Sequence, residues 1–285
     1  MSKLVLANEG VFPITKDQFG QPLKECPATG MSISGTIQGE GKLAGVPSLF
    51  VRLASCNLRC MWSLPDGSFC RCDTPYASFE AEQDLQLNTD EVYDLIKNNI
   101  GDLNHLVLTG GEPMLQHKAL SVLSKRLKDE LKLHLSIETN GTLFAEDVAQ
   151  YIDLFSISPK LSNSNPNSEK LTHYGLKPSG PLSYHSQKRK NITVLQKFVD
   201  YCNESGKEMQ LKFVVGQEND YQEIKDEFLA PINDLSPTDI MLMPLGATQK
   251  ELAETSKMVL EMAIKNGWRY APRLHIDLFG SKAGV

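Results

Sequence analysis

Four of the six cysteines in the chain, Cys56, Cys60, Cys70 and Cys72, crowd into one stretch, ASCNLRCMWSLPDGSFCRCDTPY (54–76). Cys56 and Cys60 have C-x3-C spacing just after a short apolar run, SLFVRL (48–53), and Cys72 follows with eleven residues between it and Cys60. Clustering of this kind in a long chain reads as metal or catalytic chemistry before it reads as a disulfide framework. Thiolates converging on one loop suit zinc or an iron–sulfur cluster. A structural zinc site commonly pairs two C-x2-C knuckles, and no second knuckle is present. A cluster held by three cysteines leaves one iron open to bind a cofactor. Reduced thiols without a metal are the remaining reading.

Other chemistry-bearing residues sit at the ends of strand-like runs. In TIQGEG (36–41), Gly39 and Gly41, with Gly45 beyond, nearly spell a dinucleotide fingerprint. Pro47 and a strand follow where that motif needs a helix, so a backbone that approaches a flat ligand closely is favoured over it, and over a plain turn. Arg52 lies four residues before Cys56. It is either a surface strand-end arginine or a planar fork for a carboxylate. TGGEP (109–113) is a strand-end turn with Pro113 starting a helix, or a backbone cradle in which Glu112 or a carbonyl receives an ammonium group. Ser158-Pro159-Lys160 is an ordinary turn or a carboxylate or ribose site. Glu138 suits a ribose hydroxyl. Met243-Pro244-Leu245 lines an adenine pocket or belongs to the core.

In this order QGEG, the C-x3-C-x-aromatic stretch Cys56–Trp62, CDT (72–74), TGGEP, ETNG (138–141) and SPK resemble the radical S-adenosylmethionine (SAM) enzymes. Within them the chain looks like the 7-carboxy-7-deazaguanine synthase family. The resemblance spans about residues 31–280, through LKFVV and the C-terminal RLHIDLFG, with a gap at 160–190. The family hallmark, C-x3-C-x-aromatic-C then D-[ST], is interrupted here by nine extra residues between Trp62 and Cys72.

The resemblance implies a [4Fe–4S] cluster, SAM and Mg²⁺. Two ligand sets fit. In one, Cys56, Cys60 and Cys72 bind the cluster while 63–71 is looped out, with Pro65-Asp66-Gly67 as its turn. In the other, Cys56, Cys70 and Cys72 bind it and Cys60 is spare. The first is favoured, because CNLRCMW keeps the family spacing and one residue between Cys70 and Cys72 leaves little room for two iron corners. By resemblance Arg71, Cys72, Asp73, Gly111, Glu112, Ser158, Pro159, Lys160 and Met243 contact SAM. Ile37, Gln38, Gly39, Arg52 and Thr109 contact the substrate. The Thr74 hydroxyl binds Mg²⁺, since hard cations prefer oxygen. His275 is a substrate contact or a surface histidine. No catalytic side chain beyond the cofactor ligands is implied.

The implied reaction converts 6-carboxy-5,6,7,8-tetrahydropterin to 7-carboxy-7-deazaguanine, in queuosine and deazapurine biosynthesis. A radical derived from SAM takes a hydrogen, the ring contracts and ammonia leaves. The implied partners are the small pterin, an electron donor such as flavodoxin and a second copy in a homodimer. A radical SAM activase of a partner protein would share the cysteines without needing QGEG or CDT. A non-catalytic iron–sulfur or zinc protein would not turn over SAM.

The elements must bring these residues together. At 285 residues, 41% apolar and 22% charged, the chain can bury a large core. Its net charge of −6 argues against a nucleic-acid footprint. No apolar run reaches the ~18 residues that cross a bilayer, and the start lacks a signal-peptide core, so the cytoplasm is expected. Strands are expected at 48–53, 105–109, 133–138, 154–158, 210–215 and 239–245. Helices are expected between them: after the Asn88/Glu91 cap, along Leu120, Leu123 and Leu127, and at 145–152, 193–202, 221–229 and 249–266. Such alternation implies an α/β fold with a parallel sheet. The expectation is one domain, 1–285, a partial (β/α)6 barrel of the radical SAM type, its site at the C-terminal strand ends. The polar stretch at about 160–190 is expected as an insertion loop or lid rather than an element.

Overall fold

The computed structural model describes residues 2–79 and 84–285. Its strands are β1 (Lys3–Phe12), β2 (Thr36–Ile37), β3 (Pro47–Leu53), β4 (Met61–Ser63), β5 (Phe69–Arg71), β6 (Leu85–Asn88), β7 (His105–Gly110), β8 (His134–Thr139), β9 (Leu154–Ile157), β10 (Glu208–Val215), β11 (Ile240–Pro244) and β12 (Arg269–Tyr270). The main sheet runs β12-β11-β10-β9-β8-β7-β3-β1-β6. From β3 to β12 every neighbouring pair is parallel, and the spatial order follows the chain. This is the expected α/β half-barrel, extended by the two-residue β12 and by an antiparallel margin, β1 and β6, that local patterning did not reveal.

Period two along the parallel strands divides the molecule. Leu49, Val51 and Leu53 on β3, Leu106 and Leu108 on β7, Leu135 and Ile137 on β8, Phe155 and Ile157 on β9, and Leu211, Phe213 and Val215 on β10 all enter the main apolar core. That core includes Leu120, Leu123 and Leu127 and the helix residues Leu195, Phe198, Val199 and Val259. The alternate residues, including Arg52, Thr109, Glu138, Ser156, Lys212 and Met243, face the concave side and line a cavity there. Below them Ser48 Oγ meets His105 Nδ1 at 2.7 Å, and His105 Nε2 meets Ser136 Oγ at 2.8 Å. Hydrogen bonding thus satisfies the polar groups that close the barrel floor.

The helices form where apolar spacing and caps agree. Thr89–Asn99 starts at a capping box, with Asn88 accepting from the Glu91 N–H and Glu91 accepting from the Asn88 N–H. Gln249–Asn266 starts at a Thr248 cap and stops at Gly267. The stretch at 160–190 departs from the expectation. It contains the 3-10 turn Ser162–Ser164 and the helices Ser168–His173 and Pro181–Lys188. Asn167 caps the first of these by accepting from the Lys170 N–H, and Pro181 opens the second, so local signals were present although the polar composition masked them.

Candidate active site

β3 ends at Leu53, and the chain turns through Ser55 into Cys56. The extra residues after Trp62 form a two-stranded hairpin, with β4 paired to β5 in the register Met61↔Arg71, Trp62↔Cys70 and Ser63↔Phe69. Its tip is the expected turn: the Gly67 N–H donates to Leu64 O at 2.9 Å, and Asp66 accepts from the Ser68 N–H at 3.0 Å. One step below Met61↔Arg71, the Cys72 N–H donates to Cys60 O at 3.1 Å. The hairpin therefore returns the chain to where it left, with Cys70 and Arg71 of the inserted stretch still bordering the cysteine loop.

Cys56, Cys60, Cys70 and Cys72 all border one cavity of about 360 Å³ at the C-terminal strand ends. Burial, reinforced by Glu112, pushes the Cys56 thiol up to about 12, and burial drives Cys60 higher still. The charge of Cys72 acts on both. Cys70 is pushed up to about 11 by burial, with Glu251 and Asp73 acting next rather than another cysteine. Cys56 Sγ also accepts from the Leu58 N–H at 3.4 Å and from Asn140 Nδ2 at 3.8 Å, the kind of contact that supports a cluster thiolate. Among the described residues no three His, Cys, Asp or Glu side chains converge tightly enough for a single metal ion. Three thiols, Cys56, Cys60 and Cys72, bordering one cavity are the kind of donor set that a [4Fe–4S] cluster takes. The donor set fits the cluster.

Ile37, Gln38 and Gly39 form one wall, and Arg71, Cys72, Asp73 and Thr74 another. Gly111, Ser158, Lys160 and Met243 also line the cavity. Lys160 Nζ donates to Ser158 Oγ at 2.9 Å. Glu138 gathers the substrate-side residues: it accepts from Gln38 Nε2 at 3.0 Å and from Thr109 Oγ1 at 3.3 Å. The Arg52 guanidinium lies between the rings of Phe12 and Tyr76, 5.0 and 5.9 Å from their centroids. Its Nε is buried without a hydrogen-bond partner, 3.6 Å from Glu9. A bulge between Leu6 and Val11 carries Glu9 there. The Thr74 hydroxyl lies 3.4 Å from Cys72 Sγ and does not cap the helix Pro75–Ser78 that follows.

Two expected contacts are not brought into the cavity. Pro159 does not line it, and neither does Glu112, which is fully buried. The Glu112 carboxylate accepts from the Met114 N–H at 3.0 Å, from Thr139 Oγ1 at 2.8 Å and from the Asn140 N–H at 2.7 Å. It joins two loops instead of bordering the cavity. The glycines of TGGEP also serve a different neighbour. A Cβ at Gly111 would stand 2.1 Å from Ser55 O, so glycine lets this loop press against the cysteine loop.

A buried ion cluster closes the far wall. Glu40 pairs with Lys212 and, at 2.8 Å, with Arg273 Nε. Arg273 also donates to Asp73 Oδ2 and Gly246 O, both at 2.6 Å. Burial opposes ionisation of Glu40, but Lys212, Arg273 and His275 together hold its carboxyl far below the usual range. His275 packs on Gly39 and lines the cavity, so it belongs to the site rather than the surface.

Residues 37–174 match the model of a 4Fe-4S single cluster domain. The 7-carboxy-7-deazaguanine synthase of Halobacterium salinarum is 36% identical over 252 residues, covering 86% of this chain and 87% of the relative. The chain belongs to the 7-carboxy-7-deazaguanine synthase family. The Rhodopirellula baltica member is 33% identical, covering 87% of this chain and 85% of its own length. The crystal structure of QueE from Escherichia coli shares the fold, with a TM-score of 0.55 and 22% identity over 93% of this chain and 95% of that one.

Sequence reasoning passed over Glu9, Glu40, Asn140, Lys212 and Arg273 in this family member. Lys212 carried a signal, a lone charge inside the apolar run LKFVV, as Arg52 did in SLFVRL. Glu9 carried none, because its strand was not recognised.

Proposed function

We propose that the chain is a carbon–nitrogen lyase of the radical SAM type that converts 6-carboxy-5,6,7,8-tetrahydropterin to 7-carboxy-7-deazaguanine, releasing ammonia, for queuosine or another deazapurine product. The observation that carries this reading is the convergence of three cysteines, an arginine held by Glu9 and two aromatic rings, and a Gln38–Glu138–Thr109 group on one cavity. Cys56, Cys60 and Cys72 would hold the [4Fe–4S] cluster. Together with SAM the bound cluster supplies one-electron chemistry, a radical that removes a substrate hydrogen. Burial pushes the Cys56 thiol up to about 12, so its proton would leave as the cluster is bound.

Gly111, Ser158, Lys160 and Met243 are the residues for SAM, with Arg71, Cys72 and Asp73 beside them. Its ammonium is assigned to loop carbonyls, since Glu112 does not line the cavity. Arg52 would take the substrate carboxylate, and Glu138 suits an N–H-rich pterin edge through acceptance. Ile37, Gln38, Gly39 and Thr109 complete the substrate wall.

The Thr74 hydroxyl is the proposed Mg²⁺ ligand. Thr74→Ala should weaken the Mg²⁺ dependence of steady-state turnover while iron content stays unchanged; an unaltered Mg²⁺ response would remove Thr74 from the site. An electron donor such as flavodoxin is the proposed source of the electron. Leu260 and Ile264, exposed one turn apart on Gln249–Asn266, support a homodimer. No helix among the described residues is long and apolar enough to cross a membrane, and unpaired cysteines favour the cytoplasm.

The test is incubation of reduced, anaerobically reconstituted protein with SAM, Mg²⁺ and the carboxytetrahydropterin. Brown protein with iron and sulfide in cluster proportion, and 7-carboxy-7-deazaguanine by mass spectrometry, are expected. Stoichiometric zinc with neither iron nor turnover would overturn the reading.

A further inference from the structure

The stretch expected to cover the cavity supports the cysteine hairpin instead. Of the described residues lining the cavity, none falls between 161 and 190. Lys170 is only 4% exposed, and its ammonium donates to Met61 O at 2.8 Å, Asn163 O at 3.1 Å and Asn165 O at 3.0 Å. That uses all three ammonium protons on carbonyls, one of them in the residue after Cys60. Asn163 Oδ1 accepts from Trp62 Nε1 at 3.1 Å, and Asn163 Nδ2 donates to Asp220 at 2.7 Å. Tyr174 OH donates to Phe69 O at 2.8 Å, and the Arg71 guanidinium lies 5.1 Å from the Tyr174 ring. On the other flank the Arg59 N–H donates to Nδ1 of the fully buried His185 at 3.0 Å. Both hairpin strands and the loop between Cys56 and Cys60 are therefore held from one side.

The hairpin needs such support. It is a separate two-stranded sheet of three-residue strands, unconnected to the main sheet, and an isolated hairpin of that size is marginal in water. Yet its register is what sets Cys72 beside Cys60. We propose that residues 161–189 are a brace that fixes the cysteine hairpin in its cluster-holding arrangement, with Lys170 as the positioning residue. The inference rests on the reading that Cys60 and Cys72 hold the cluster.

Full-length Lys170→Met and Tyr174→Phe separate the possibilities. Amide hydrogen exchange of the apo-protein across 59–72 should accelerate roughly tenfold or more in Lys170→Met and less in Tyr174→Phe, with β7–β9 unchanged. In reconstituted protein, iron release to a chelator should quicken in the same order, and the EPR spectrum of the reduced cluster should change. Unchanged exchange across the hairpin overturns the brace, whatever the iron content. Faster exchange with unaltered iron release and EPR overturns the positioning role of Lys170. If wild type takes up no iron, the proposed function fails, while the apo-protein exchange still decides the brace. Should Lys170→Met not fold, Tyr174→Phe, which loses one hydroxyl, carries the same comparison.

Discussion

Cys60→Ala should abolish iron incorporation and turnover together, whereas Cys70→Ala should retain the cluster and most activity. The hairpin register gives the reason. With Met61 opposite Arg71, the next pair inward is Cys60 and Cys72, joined by a backbone hydrogen bond of 3.1 Å. Cys70 instead stands opposite Trp62, one pair further out, where Glu251, Asp73 and Lys170 are its main electrostatic neighbours. Cys60 instead has Cys56 and Cys72 among its electrostatic neighbours, and Cys56 has Cys72. A cluster that leaves one iron open for SAM needs three protein thiolates, and loss of one removes a bond that no neighbour replaces. Iron analysis and absorbance after anaerobic reconstitution check this. The reverse pattern, iron kept in Cys60→Ala and lost in Cys70→Ala, would assign the ligands to Cys56, Cys70 and Cys72.

Arg52→Lys should raise the KM for the carboxytetrahydropterin roughly 10- to 100-fold, corresponding to about 1.5–3 kcal/mol for a hydrogen bond to a charged group. SAM cleavage without substrate should be much less affected. The guanidinium lies over the Phe12 and Tyr76 rings with its Nε turned to Glu9, and the residue borders the cavity, where its terminal N–H groups can meet a carboxylate. A lysine ammonium has neither the fork nor the flat face that stacks, and its flexible stem can turn toward Glu9, 3.6 Å from the present Nε. Equal loss of substrate turnover and uncoupled SAM cleavage would make Arg52 a structural residue of β3.

Local signals were enough for much of this molecule. Short apolar runs separated by capped amphipathic segments define β3, β7, β8, β9, β10 and β11 and the intervening helices, because period and capping act within a few residues. The Asn88/Glu91 box and the Pro65-Asp66-Gly67 turn are both formed as read. The order of QGEG, the cysteines, CDT, TGGEP and SPK sufficed to anticipate a shared cavity, since parallel strands in chain order deliver their C-terminal ends to one mouth. The long strand β1 was not legible: its apolar run is broken by a bulge, and its partners, β3 and β6, lie far along the chain. The tertiary structure alone decided which polar residues are sites and which are braces. Glu112 looks like a ligand contact in its motif, but its carboxylate is bonded to Thr139 and Asn140 and does not line the cavity, whereas Gly111 lines the cavity and also lets its loop press on Ser55. Glu40 meets Lys212 and Arg273 across 172 and 233 residues, and Lys170 reaches Met61 across 109. No local period records such pairs. A buried charge is stable only where distant segments converge to satisfy it, and that convergence is a property of the packed barrel.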